Sequence, residues 1–586
     1  MNKDFYQPIL SDKEEKAPVT HYVQALMERF SLTERLLFIF LATVCVVTSI
    51  MLASSVNSAF LVEIPASGGS MSEGVIGLPR FINPLLATSE TDKDLTSLVY
   101  SGLLKATPDG RLINDLSEYY TISPDGRMYT FVLKKDIYFH DGTPVTAEDV
   151  KFTVEKAQDP FLKSARRASW DGVEVQVNGE KEISFVLKQP YAPFLENATM
   201  GILPKHVWSS ASAEQFPFSS FNVEPIGSGP YMVTAIKRNS GGLPVRYHLT
   251  SFRRYTLGEA YIKEIVMKFY SNETELIEAY RQGAVDAING ISPAATENVL
   301  GKKGATAKTS ILPRVFGIFF NQNQQTLFVN KEIRKALNVG LNKERIVGEV
   351  LKGYGSAIDS PIPPEYIREA SEKIATTTDR TTAAQAILEK DGWKIGESGF
   401  MEKKGQILQF SLSTSDVAEL KQTAEIIKEE WANIGVSVDI KIFESGDLNQ
   451  NIIRPRKYDA LLFGEIVGRD LDLFPFWHSS QRNDPGLNIA LYANITADKL
   501  LDEARTVLDP VERVEKYQKF EAEIKKDIPA VFVYSPDFIY IVSDKIKNID
   551  LGKITVPSER FLDVHNWYVR TEKVWEFFVR EKNSQI

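Results

Sequence analysis

The chain has 586 residues, too many for a single hydrophobic core, so several domains are expected. Hydrophobic residues at 43% and charged residues at 25% are ordinary globular values, and a formal net charge of −9 argues against a nucleic-acid surface, which needs clustered Lys and Arg. A single cysteine, Cys45, excludes intrachain disulfides and a cysteine-based zinc site, and the six histidines stand at no metal-ligand spacing, so no cofactor is expected.

Residues 1–35 are polar and mixed in charge, with Lys13, Lys16, Arg29 and Arg35 supplying positive charge. From Leu36 to Val62 there is no charged residue. As a helix rising ~1.5 Å per residue this run would reach ~40 Å, against a hydrocarbon core of ~30 Å. Residues 36–62 are therefore expected to anchor the chain in a membrane. Arg29 and Arg35 flank the run on one side and Glu63 on the other, which places the N-terminus in the cytoplasm and the bulk of the chain outside. A cleaved signal peptide is the alternative, with a small-residue site around Val56-Asn57-Ser58, although the polar preface and the apolar run both exceed the usual lengths. Ser67-Gly68-Gly69-Ser70, within 63–73, reads as a linker.

Beyond it, Asn83-Pro84 marks a turn and Leu98-Val-Tyr-Ser-Gly-Leu-Leu104 the apolar face of a helix. Tyr129, Phe131 and Leu133 alternate with Thr130, Val132 and Lys134 as a half-buried strand. Asp141-Gly142 turns the chain, and Thr146 with Asp149 forms a capping box for a following helix, with Val145 and Val150 as its staple. This stretch, Lys134-Lys-Asp followed by Phe139-His-Asp-Gly-Thr-Pro-Val-Thr-Ala-Glu-Asp-Val150, closely resembles the signature of the family 5 solute-binding proteins, the peptide- and nickel-binding receptors of ABC importers.

Asn178-Gly179 between two alternating runs predicts a hairpin. Gly227-Ser-Gly-Pro-Tyr231 resembles the family's Gly-Thr-Gly-Pro-Tyr turn and lacks the Lys-Ser/Thr of a phosphate loop. A strand over Phe316–Asn321 precedes a helix capped by Asn330. Leu420, Ala424, Ile427, Trp431 and Ile434 repeat at helical spacing up to Gly435, before the alternating strand Val436–Ile442. Asp509-Pro510 opens a helix running to about Lys526.

The resemblance covers about Gly74 to Tyr568. It implies an α/β, two-lobed periplasmic-binding-protein-like fold of type II with an extra subdomain, preceded here by one N-terminal transmembrane helix. By the same resemblance, lobe I takes 74–313 with the extra subdomain at about 110–223, lobe II takes 314–528, and 529–570 return to lobe I, leaving 571–586 as a tail without a role. The ligand-binding candidates it implies are Thr88, Ser89, Glu90 and Thr91, as an edge pairing with a peptide backbone. To these it adds Phe463, Gly464, Glu465, Val467, Gly468, Arg469, Asp470 and Trp477, at and beyond a strand end. In peptide-binding relatives an aspartate grips the peptide's amine. That position falls near Gly468, which leaves Arg469 for an acidic group. The implied partners are a peptide-like ligand, ABC permease subunits and the membrane, with no nucleic acid. A ligand-sensing receptor domain and a non-peptide solute remain alternatives. An enzyme is disfavoured, because no Gly-x-Ser-x-Gly, His-Glu-x-x-His or Walker motif is present.

Overall fold

The computed structural model describes residue 27 and residues 30–301, 304–364, 366, 377–577 and 579, so most of the expected cytoplasmic segment lies outside the described residues. Residues 1–65 with 571–586 form one compact unit and residues 66–570 another.

In the first unit a helix runs from Leu32 to Ala59, starting four residues before the uncharged run. Ser31 caps it: its N–H donates to Glu34 Oε2 at 2.8 Å and Glu34 N–H donates back to Ser31 Oγ at 3.5 Å. The helix is long and apolar enough to cross a membrane, and none of its residues is buried in protein. The strand Leu61–Ala66 follows and pairs with the strand Arg570–Trp575, so the described start of the tail closes back beside the helix end. Segment 63–73 is thus partly strand, and its two glycines are bonded as well: Gly68 N–H donates to Tyr261 O at 2.8 Å and Gly69 O accepts from Lys263 N–H at 3.1 Å.

The second unit is built on one long mixed sheet. Its strands lie in the order Ser437–Phe443, Gln409–Ser415, Ala460–Ile466, Arg314–Phe320, Ala530–Ser543, Ala287–Asn289, Ser70–Ile76, Glu264–Tyr270, Pro244–Ser251 and Tyr231–Arg238. Two lobes follow from how the core divides. Ile318 and Phe320 face one cluster with Leu337 and Trp431, while Val315 and Phe319 face another with Trp477 and Phe520, as the two-residue period of a strand requires. A separate, larger core gathers Met71, Leu98, Tyr129, Phe185, Tyr540 and Trp567. The strand Ala530–Ser543 serves both: Ala530 to Tyr534 pair with Arg314–Phe320, and Asp537 to Ser543 pair with Ala305–Ile311.

The signature stretch folds as local chemistry dictates. Met128–Leu133 is a strand with Tyr129, Phe131 and Leu133 buried. Asp149 Oδ2 accepts from both the N–H and the Oγ of Thr146, each at 2.8 Å, and the helix Ala147–Gln158 follows. The hairpin forms between Glu174–Gly179 and Glu182–Val186, but its turn lies one step beyond the Asn-Gly pair. Gly179 pairs with Glu182 across a bulge after Val177, and Asn178 Nδ2 donates to Glu182 Oε1 and Ser184 Oγ (3.1 and 2.8 Å) instead of sitting at the turn. The helix Ala418–Asn433 buries Leu420, Ala424, Ile427 and Trp431, the residues at helical spacing. Asp509 caps Pro510–Asp527 through the N–H groups of Val511 and Glu512, both at 2.9 Å.

Candidate cleft between the two cores

His140, within the signature, has a positioning task. Its Nδ1 accepts from Gly227 N–H at 3.3 Å and its Nε2 donates to Gly229 O at 3.1 Å, which fixes the neutral ring and staples down the Gly-Ser-Gly-Pro-Tyr turn. Burial lowers the His140 pKa to about 4. That turn rests on the end of the helix Glu90–Val99: a Cβ on Gly227 would stand 2.1 Å from Val99 O, and one on Gly229 would stand 2.6 Å from Val99 C. Only glycine permits this approach, and it sets where Tyr100 to Ala106 emerge.

Those residues wall a cavity of about 390 Å³. Further walls come from Arg166, from Glu196 on a short helix, from Met200, and from Val556, Ser558, Glu559, Phe561 and Leu562. All of these belong with the larger core. The other lobe contributes Arg469, on the loop after the strand Ala460–Ile466.

Two sets of charges line it. In the first, Lys105 Nζ donates to Tyr255 Oη at 2.6 Å and lies near Asp115 and Asp563. Burial holds the Lys105 pKa below its usual value and pushes the Asp115 carboxyl above its own, each opposed by the other's charge. In the second, the Glu196 carboxylate accepts the N–H groups of Arg469 at 3.0 Å and Asp470 at 3.2 Å, so it clasps the loop that carries Arg469. Burial raises the Glu196 carboxyl, opposed by those two N–H bonds. Arg469 itself is spoken for: Nη2 meets Glu559 Oε2 at 2.6 Å and Nη1 donates to Lys553 O at 3.1 Å. The Arg166 guanidinium faces Glu196 and Glu559 and makes no ion pair within contact distance among the described residues. The hydroxyls of the wall residues Thr96 and Tyr100 are buried and have no hydrogen-bond partner among the described residues.

Of the residues expected at the site, Arg469 lines the cavity, and Gly468 and Asp470 flank it. A Cβ on Gly468 would stand 3.3 Å from Glu196 Oε2, so the glycine lets that carboxylate approach. Asp470 is paired with Arg513 at 2.8 Å, and Asp472 with Arg505 at 2.7 Å. The expectation that Arg469 is available to an acidic group fails, because Glu559 occupies it. Thr88 to Thr91 make no strand edge: Ser89 caps the helix Glu90–Val99, and Thr91 Oγ1 donates to Ile76 O at 3.0 Å. Glu90 sits one step behind the cavity, bonded at 3.0 Å to the wall residue Lys93.

Phe463, Glu465, Val467 and Trp477 turn away from the cavity and pack against the Val315–Phe319 face. The strand's alternation puts Leu461, Phe463 and Glu465 on one side. Gly464 lies on the other, where a Cβ would stand 2.7 Å from the Phe316 ring. The Glu465 carboxyl is buried, and burial pushes its pKa well above the usual range, opposed by a hydrogen-bonding interaction with the neighbouring Trp477 indole. Lys105, Asp115, Arg166, Glu196 and Glu559 were not legible as site residues; only Lys105 follows a motif already singled out, the Tyr100–Leu104 stretch.

No group of three or more His, Cys, Asp or Glu side chains able to hold a metal exists among the described residues.

The chain is similar to the oligopeptide-binding protein AppA of Bacillus subtilis, 27% identical over 516 residues, which covers 86% of this chain and 92% of AppA. The AppA structure in complex with a nonapeptide superimposes with a TM-score of 0.68 at 25% identity over 86% of this chain and all of AppA. NikZ of Campylobacter jejuni in complex with Ni(L-His) gives 0.69 at 25% identity, with 85% and 99% of the two chains covered. The ABC transporter substrate-binding protein CtaP of Listeria monocytogenes gives 0.73 at 25% identity, with 86% and 99% covered. Residues 82–485, more than two thirds of the chain, match the model of one family, and the chain belongs to it: the bacterial extracellular solute-binding proteins, family 5.

Proposed function

We propose that this protein is a membrane-anchored extracytoplasmic receptor that captures a short, polar, peptide-like solute and presents it to an ABC importer. The observation that carries this reading is the cavity: partly open, charged in both signs, and walled by both lobes. A volume of about 390 Å³ lies within the ~300–1,000 Å³ range of small-molecule sites. A nonapeptide brings about 36 backbone heavy atoms before any side chain, four per residue. The cavity therefore favours a solute of two or three residues. Lys105 and Arg166 suit its carboxylate.

Hinge closure follows from the same geometry. The strand Ala530–Ser543 crosses between the cores around Ser535 and Pro536, while Glu196 and Glu559 clasp the Arg469 loop across the cleft. A solute that satisfies both walls stabilises the closed form, which is the state an importer can recognise. Support for the anchor comes from the helix Leu32–Ala59 together with the flanking charges.

The test is native mass spectrometry of the full chain purified in detergent, followed by titration with a dipeptide and tripeptide library. A co-purifying mass of two or three residues is expected, with binding and no turnover. Tight binding of nonapeptides with none of the short peptides overturns the size reading.

A further inference from the structure

The start of the tail meets the helix end in a way that points to lipid. A hydrocarbon core of ~30 Å takes about 20 helical residues. Centred on Ser49, the middle of the uncharged run Leu36–Val62, those residues end at Ala59, where the helix also ends. The next residue is Phe60, and its ring stacks on Trp575 with centroids 6.1 Å apart and an interplanar angle of 19°. The Trp575 indole Nε1 donates to Asn57 Oδ1 at 2.9 Å, one turn back in the helix. Glu576 N–H donates to Phe60 O at 3.1 Å, which fixes the strand pair at this level.

Both rings remain largely exposed: Phe60 is 54% exposed and Trp575 47%. Polarity rises along the ladder away from the helix, where Thr571 Oγ1 donates to Glu63. Water is a poor surrounding for two stacked aromatic rings, and the headgroup layer is a good one, because a ring with an apolar body and a satisfied N–H suits the boundary between oil and water.

We propose that Phe60 and Trp575 form an aromatic collar seated in the headgroup layer of the outer leaflet. The tail would then be a second membrane contact, held at the right depth by its pairing with Leu61–Ala66. This rests on the reading of Leu32–Ala59 as a retained anchor.

Trp575 can be read separately from the other tryptophans, since each of the remaining six is 3% exposed or less. The full chain is reconstituted in phosphatidylcholine vesicles, and its intact mass and flotation are recorded. Emission is then measured with lipids brominated near the top of the acyl chain, and separately with aqueous iodide. The collar predicts that brominated lipid removes about one part in seven of the emission, given seven tryptophans of equal yield, while iodide removes less. Trp575→Phe abolishes the lipid effect, and Phe60→Leu, which leaves the indole in place, reduces it. Iodide quenching without lipid quenching, in a chain that floats and retains its helix, overturns the collar and leaves the anchor standing. The same holds if neither quencher acts, since protein then covers the ring. A chain that has lost residues 32–59 overturns the anchor and the collar with it.

Discussion

Glu196→Gln isolates the clasp across the cleft. The two carboxylate oxygens take one N–H each, from Arg469 at 3.0 Å and from Asp470 at 3.2 Å. A glutamine side chain keeps one acceptor and turns an NH₂ group toward the second N–H, so donor faces donor. One hydrogen bond to a charged group is lost and the other falls to neutral strength. Such bonds are worth about 1.5–3 kcal/mol, so the closed form should lose about 2–3 kcal/mol. If closure is needed for tight capture, that equals a 30- to 140-fold weaker Kd, on the order of tenfold per 1.4 kcal/mol. Calorimetric titration with the co-purifying solute reads the affinity, and solution scattering reads the radius of gyration. The variant should be larger than the parent without ligand and return to the parent radius only at higher solute. Parental affinity together with a parental radius would refute the idea that Glu196 holds the lobes together.

Three further outcomes follow from the same contacts. Arg560 is fully buried between Glu73 (2.9 Å) and Asp94 (2.6 Å), so Arg560→Met should destabilise by about 3–5 kcal/mol, and a denaturant midpoint within error of the parent would contradict it. His140 titrates at about 4 in the folded chain against 6.5 in the unfolded one, so the unfolded chain holds the extra proton between those values. Its contribution, full above pH 6.5, is lost as pH falls toward 4 and amounts to about 3 kcal/mol. Stability measured over that window should therefore fall less steeply in His140→Gln than in the parent, and equal slopes would remove His140 from the account. In a Cys45→Ser background, Ser67→Cys should react with an impermeant thiol reagent on sealed cells while Lys13→Cys does not, and equal labelling would reverse or abolish the assigned topology.

Local hydrogen bonding made much of this fold legible. Thr146 with Asp149, Asn330 with Glu332 and Asp509 with Glu512 each close a helix end within three residues, so the letters alone carry the geometry. The strand Met128–Leu133 and the helix Ala418–Asn433 show their buried faces in their periods. The uncharged run marks the apolar helix in the same way.

The cavity was not legible, because its charges meet across long stretches of chain. Glu196 reaches Arg469 over 273 positions, and Arg469 reaches Glu559 over 90. No local pattern encodes such a pairing. Even within the motif that drew attention, tertiary packing chose which residues matter. The strand's alternation sent Phe463 and Glu465 toward a core that Trp477 joins from a short helix further on, whereas the loop just beyond the strand carried Arg469 to the cleft. The tail's partner was settled in the same way: Trp575 finds Asn57 over 518 positions, through a strand pairing that exists only once both ends of the chain are folded.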